Sequence, residues 1–465
     1  MKHLTVMRRL LVVPIALAVI GVLPATSGAA AAAPTWTVVT DSGGKNIDEV
    51  SLARTSDGVL HVLWLKHGGI GHEEIRHTPI SADGNVGETN VASGGWSAAG
   101  NPDVIPTSDG GLRVFFGGLT GVNQRDGAQS ASAGADGATW TPEPGRVSST
   151  VSSISDVGAA LRADGTPVYS YTYSFVLGLH SGLDPGVTDT DLLPENKCCA
   201  YHPDVAFSES GEGYVGWYSN VDGEAGLYVQ QIAPTQGEKQ LVPQSVTNEK
   251  LLSIDQRMPI VARKGEPGIF VAYCSGYPSC TSVLLWKLGT TTPVTVANGR
   301  QIRFVNVAAA PDGRIWVMWA DMAGPQLYAA RSNAAVTRMG APAVFDPAPG
   351  ATAIWRMVGD ATDEALDVLA SMSTPGSLAT WHTRVLPGIS VSAGFAKKKV
   401  NFIITDAGAP MKGAKIRFGK RTLTTDRRGR ATGVGMATTV EVSKTGYTTQ
   451  SVKLTKDEPS APPTS

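Results

Sequence analysis

The sequence predicts an all-β protein: a β-propeller of seven blades, with six as the alternative count, followed by a small β-sandwich. Three observations predict it. One pattern of apolar strand, tight turn and aromatic-rich strand returns about every 50 residues. Glycine (53) and proline (29) are abundant while helical periodicity is nearly absent. Short alternating segments are bounded throughout by Gly, Asp, Asn and Pro.

The chain opens with Lys2, Arg8 and Arg9, an apolar run from Leu10 to Leu23, and alanines from Ala29 to Ala33. Basic, apolar and small residues in that order read as a secretory signal peptide over 1–33, so the mature chain is expected to be secreted. No later stretch approaches the roughly 18 apolar residues of a membrane span, and none is expected.

The propeller is expected over 34–388. Its repeats are Val50 to Trp64 (VSLARTSDGVLHVLW), Pro102 to Phe116, Val157 to Tyr171, Pro203 to Trp217, Pro259 to Tyr273 and Val305 to Trp319, with a weaker seventh from Arg356 to Ala370. The first six register without a gap and each closes on an aromatic. Each copy reads as a β-hairpin whose turn needs positive φ, and the rest of each period supplies two more strands. Four strands repeated radially bury the sheet edges. Thr35 to Thr40 (TWTVVT) is placed to supply the outer strand of the last blade and close the ring.

Residues 389–457 alternate as short strands around an Ala-Pro-Met-Lys-Gly-Ala turn, a Thr-Thr-Asp-x-x-Gly turn and a late Gly-Tyr, and 458–465 (EPSAPPTS) read as a disordered tail. From Ile389 onward 14 Lys plus Arg face 5 Asp plus Glu, a charge of +9. With −1 overall and +3 in the leader, the body between them carries −13. An acidic body with a basic tail domain points to two different partners.

Two resemblances follow from these residues. Ser132 to Thr141 (SAGADGATWT) is similar to the Asp-box turn of sialidase-like, BNR-repeat propellers of secreted bacterial proteins, with its Ser and Asp one residue off that pattern. The likeness covers roughly 34–387. The tail domain resembles the carboxypeptidase-regulatory-like, Ig-like sandwich domains appended to secreted proteins, which implies a spacer or adhesion module. The sialidase pattern also wants an Arg-Ile-Pro near the N-terminus and a Tyr/Glu nucleophilic pair. Arg257-Met258-Pro259 is similar to the first but falls in another blade, and no Tyr/Glu pair can be assigned.

Ligand sites of propellers lie on the top face, where each innermost strand begins. The repeat puts Asp48, Glu49, Asn101, Asp156, Tyr201, His202, Arg257, Arg303 and Arg356 at that rim, with Asp103 and Asp204 one step inside. Arg257 and Arg303 share a repeat position and Arg356 lies close to it. Three guanidiniums there could fork onto a carboxylate or phosphate, or pair with rim carboxylates. The carboxylates could supply an acid and a base about 5 to 10 Å apart for glycoside hydrolysis, or simply hold strand starts. Cys198, Cys199, Cys274 and Cys280 converge on one sector of the same face and are expected oxidised, either as a short Cys274–Cys280 loop with an adjacent Cys198–Cys199 pair or as two bridges between blades. Asp184, Asp189, Asp191 and Glu195 offer the hard oxygens calcium takes, without EF-hand spacing, and no other cofactor is expected.

Three functions fit: a secreted propeller binding an extracellular glycan, peptide or protein on its top face, with an anionic cell-wall polymer meeting the basic domain; a sialidase-like glycoside hydrolase or lyase; and a structural envelope protein.

Overall fold

The computed structural model describes residues 35–40, 50–121, 126–174, 176–193, 199–221, 223–245, 257–275, 280–299, 301–322, 326–396, 398–435 and 437–454. The expected signal peptide and the C-terminal tail lie outside them. All regular structure among these residues is β, in antiparallel sheets, and no helix is long and apolar enough to cross a membrane.

Seven sheets of four or five strands follow one another along the chain. Their innermost strands are Ser51–Arg54, Asp103–Pro106, Ile154–Leu161, Ala200–Phe207, Ile260–Ala262, Ile302–Ala309 and Ala353–Ala361. Each touches the next, and the seventh touches the first, so the sheets stand as blades around a central channel. We number the blades one to seven in that order. The ring is closed as expected: Thr37–Val38 pairs with Ser377–Val385 and becomes the outermost strand of blade seven.

The hairpins form where the repeat places them, for a local reason. The glycine at the same repeat position takes positive φ in five blades: Gly58 (86°), Gly110 (86°), Gly165 (81°), Gly211 (87°) and Gly313 (77°). An L side chain resists that conformation. In four of the five the preceding aspartate completes the turn, as when Asp57 Oδ1 accepts from the Val59 amide at 3.1 Å and Asp164 Oδ1 from the Thr166 amide at 2.9 Å; in blade four Ser210 stands there. The closing aromatics Trp64, Phe116, Tyr171, Trp217, Tyr273 and Trp319 are all buried. Each removes about 2–3 kcal/mol worth of apolar surface from water. Seven apolar clusters result, one between each pair of neighbouring blades. The core is therefore a ring of interblade seams.

The tail domain is a two-sheet sandwich. One sheet runs Ser390–Ala396, Lys399–Asp406 and Arg430–Val434, with Ala409–Pro410 at its edge. The other orders Arg421–Thr424, Lys415–Phe418, Thr439–Ser443 and Gln450–Lys453. Phe402, Ile404, Ile416, Phe418, Val440 and Val442 fill the space between.

The sandwich docks on the face of the propeller that carries the Asp-Gly turns, opposite the starts of the innermost strands. Its Asp406 Oδ2 accepts from Arg331 at 2.7 Å and Arg314 at 2.8 Å, both from blade six, and from the Tyr447 hydroxyl at 3.0 Å. Arg331 is sandwiched between the Trp316 and Tyr447 rings, at 5.6 and 5.7 Å. Thr448 adds bonds to the Leu386 and Pro387 carbonyls.

Candidate functional site

The top face is shaped by a bulge that recurs. Pairing of the innermost strand with its neighbour slips between Ile154 and Val157, Tyr201 and Asp204, Arg303 and Asn306, and Ile354 and Arg356. These slips fall at one repeat position in blades three, four, six and seven. The residues they re-aim include Asp156, His202, Phe304 and Trp355, and the backbone at His202 (φ 47°) and Phe304 (φ 52°) is left-handed. Bulges bend a strand and redirect side chains; Phe304 packs against the seam between blades six and seven, while Trp355 is exposed.

Equivalent residues of successive blades then meet. Asn101 Nδ2 donates to Asp156 Oδ1 at 2.9 Å, His202 Nδ1 lies 3.4 Å from Asp156 Oδ2, and the Met258 amide donates to the His202 carbonyl at 2.9 Å. Burial alone would raise the Asp156 carboxyl. The His202 charge, the Asn101 amide and the nearby Arg257 guanidinium outweigh it and hold the pKa down to about 2. Beside this chain a cavity of about 250 Å³ opens between blades two and three, lined by Ala99, Asn101, Gly117, Leu119, Ser155 and Asp156 among others. Asp156 is the sole carboxylate among the described residues lining it.

One step inside, Asp103 is fully engaged. Its Oδ1 accepts from the Ser51 hydroxyl at 2.5 Å and from Arg257, and its Oδ2 from the Ala159 amide at 2.6 Å. Arg257 also donates to the Pro102 carbonyl at 2.8 Å. A single carboxylate thus joins blades one, two, three and five, with Arg257 reaching across from the far side of the ring.

The other expected site residues are placed as follows. Arg303 and Arg356 are half-buried at the starts of the innermost strands of blades six and seven. Tyr201 accepts from Asn220 at 3.3 Å, and Asp204 caps the Val205 amide at 2.8 Å. Asp48 and Glu49 lie outside the described residues. Cys274 is bonded to Cys280 within blade five, Cys199 is disulfide-bonded, and Cys198 lies outside the described residues.

Among the described residues of the acidic loop, the carboxylates have separate partners. Asp189 accepts from Tyr171 at 2.5 Å and the Thr150 amide at 2.6 Å and lies 2.5 Å from His180 Nδ1, while Asp184 and Asp191 cap the amides of Gly186 and Leu193. Glu195 lies outside the described residues. Among the described residues no three His, Cys, Asp or Glu side chains are placed to hold a metal ion.

Trp355 was not among the rim residues expected from sequence. Its indole is 52% exposed at the channel mouth and donates to Ser373 Oγ at 2.7 Å. The signal was present in the weak seventh repeat, where Trp355 stands at the position of Asp156 and His202.

No family model and no curated relative matches the chain. Solved structures show a distant likeness. A protein of unknown function from Dyadobacter fermentans is 10% identical, with 75% of this chain and 97% of that one covered and a TM-score of 0.48. An α-L-arabinanase of Penicillium chrysogenum solved with arabinobiose is 13% identical, covering 65% and 99%, with a TM-score of 0.42. The leech intramolecular trans-sialidase is 10% identical, covering 63% and 67%, with a TM-score of 0.42. The fold assignment rests on the sheet topology described above.

Proposed function

We propose that this is a secreted binding propeller whose channel mouth recognises an extracellular glycan, without cleaving it. The observation that carries this reading is that Asp156 is the one carboxylate among the described residues lining the top-face cavity. Glycoside hydrolysis canonically needs a second carboxyl group about 5 to 10 Å away, and one of the two must hold a proton. Asp103, one step inside, is saturated by Ser51, Arg257 and a backbone amide, and Glu73 is taken up by the Ala99 amide at 2.7 Å. Asp156, held at about 2, stays ionised and serves as an acceptor for sugar hydroxyls. A cavity of about 250 Å³ falls just below the roughly 300 to 1,000 Å³ of drug-sized ligand sites, so it suits one ring-sized unit. The exposed Trp355 face offers an apolar platform for the rest of a chain. The basic tail domain completes the reading, with an anionic cell-wall polymer as its partner class.

The test is retention of the mature chain on a panel of immobilised glycans, with released reducing ends measured in parallel. Retention that is lost in Trp355→Ala and Asp156→Asn, with no release, is expected. Release of reducing ends that Asp156→Asn abolishes would establish the hydrolase instead.

A further inference from the structure

The tail domain is docked with the opposite polarity to the one its charge suggests. A domain of +9 beside a body of −13 should spend its cations on the propeller. It spends an aspartate instead: Asp406 is buried between Arg314 and Arg331 of blade six. The described part of the domain holds twelve Lys and Arg, and eleven are exposed. No ion pair among the described residues uses any of them. Of its three described acids, Asp406 is consumed by the dock and Asp426 by the amides of Arg428 and Arg430. Only Glu441, across from Arg417, stands among the cations of the sheet carrying Lys415–Phe418.

The cations are also gathered. Lys415 and Arg417 alternate outward on one strand, about 7 Å apart at the usual rise. The hairpin that follows carries Lys420 and Arg421 at its tip, and the next turn carries Arg427, Arg428 and Arg430. Lys415 and Arg417 lie within the roughly 8 Å over which exposed charges act at physiological salt, and the other cations extend the positive charge along the same hairpin and the next turn. Their mutual repulsion is relieved by a partner with regularly spaced negative groups.

We infer that the exposed face of the sheet carrying Lys415–Phe418, with its adjoining turns, forms a binding surface for a linear polyanion bearing one phosphate or carboxylate per repeat. This rests on the tail contact proposed above and gives it residues, polarity and direction. The Cys274–Cys280 disulfide fits an oxidising compartment, which favours an envelope polymer over nucleic acid. Because the dock lies on the turn-bearing face, the polymer is held on the side away from the channel mouth. Both surfaces can then be occupied at once.

The experiment passes the mature full-length chain over immobilised glycerol-phosphate polymer, polygalacturonate, neutral dextran and duplex DNA at two salt concentrations. Retention on one or both of the first two, none on dextran, and a steep loss with salt are expected. The variant Lys415→Gln/Lys420→Gln/Arg421→Gln/Arg428→Gln should lose about tenfold or more in affinity and show a flatter salt dependence. Its melting temperature should be unchanged, and Trp355→Ala should bind the polymer like wild type. Wild-type affinity in the quadruple variant overturns the surface assigned while leaving the polymer contact standing. Failure of the wild-type chain to bind either polyanion at low salt removes the contact itself, and preference for DNA at equal charge overturns the partner.

Discussion

Two of the molecule's buried arginine–aspartate contacts, one inside the ring and one between the domains, differ in how their charges could escape. Arg257 meets Asp103 across the channel, with both side chains nearly buried. Arg331 meets Asp406 between propeller and sandwich, equally buried. The first pair is held by groups from blades one, two, three and five, so an unpaired Arg257 stays confined among them. The second is covered by a docked domain, so an unpaired Arg331 reaches water once that domain lifts. The same chemistry is therefore worth different amounts, because the cost of breaking a buried pair is the cost of stranding the survivor.

Asp103→Ala should break that comparison most visibly. It strands Arg257 and also releases Ser51 and the Ala159 amide, and a loss of about 3–5 kcal/mol is expected in urea unfolding. Adding Arg257→Met should restore much of it, since no charge is then left behind. If Asp103→Ala costs no more than a change on the exposed surface, the ring does not confine Arg257 as argued.

A contact without permanent charge sharpens the same point. In blade one His61 Nδ1 lies 2.9 Å from His77 Nε2, and His77 Nδ1 lies 3.0 Å from Asn90 Oδ1. A turn of blade two seals the pair: a Cβ on Gly137 would lie 2.4 Å from the His77 ring. Burial lowers the His77 pKa from 6.5 to about 4, and burial lowers His61 as well. A folded value below the unfolded one means that the unfolded chain binds the extra proton. The stabilisation is complete above pH 6.5 and is lost as pH falls toward 4, amounting to about 3 kcal/mol for His77. Unfolding free energies at pH 7, 5.5 and 4.5 should decline accordingly, and His77→Gln should flatten the decline. The lowered carboxylates Asp156 and Asp367 lose their contribution only below about 3.8, outside this window.

Asp406→Asn is the milder counterpart of Asp103→Ala. Undocking rehydrates Arg331, so the propeller's own unfolding midpoint should scarcely move. The change should appear instead as protease cleavage near Pro387, where the chain passes between the domains, and as a larger radius in solution scattering. A drop in propeller stability matching that of Asp103→Ala would show that the two pairs are equivalent after all.

What could be read from sequence follows the range of each interaction. The hairpins were legible because their signals are local: Gly58, Gly110 and Gly165 sit within four residues of both strands they join, and the closing aromatics mark the seams. Arg257 was legible as a rim residue, but its partner was not, because Asp103 lies 154 residues away in a non-adjacent blade. The tail domain's basic character was plain. Its dock was hidden, because one buried Asp406 decides the contact while 14 Lys and Arg dominate the charge count. Trp355 was overlooked because the seventh repeat has Ala370 where the other six close on an aromatic, which weakens its register.

Trp355 gives the limiting case of a group with nothing to strand. Trp319 of blade six is 3% exposed and packs in the seam with blade five, so truncating it should cost about 3–5 kcal/mol. Trp355 is 52% exposed and gives the fold one hydrogen bond, to Ser373. Trp355→Ala should therefore shift stability by no more than about 0.5 kcal/mol, the range of ordinary surface changes. On the proposed reading that the channel mouth binds a glycan, the same variant should lose retention in the glycan panel. A stability loss of 2 kcal/mol or more, with glycan retention intact, would make Trp355 a structural residue and remove the platform from the channel mouth.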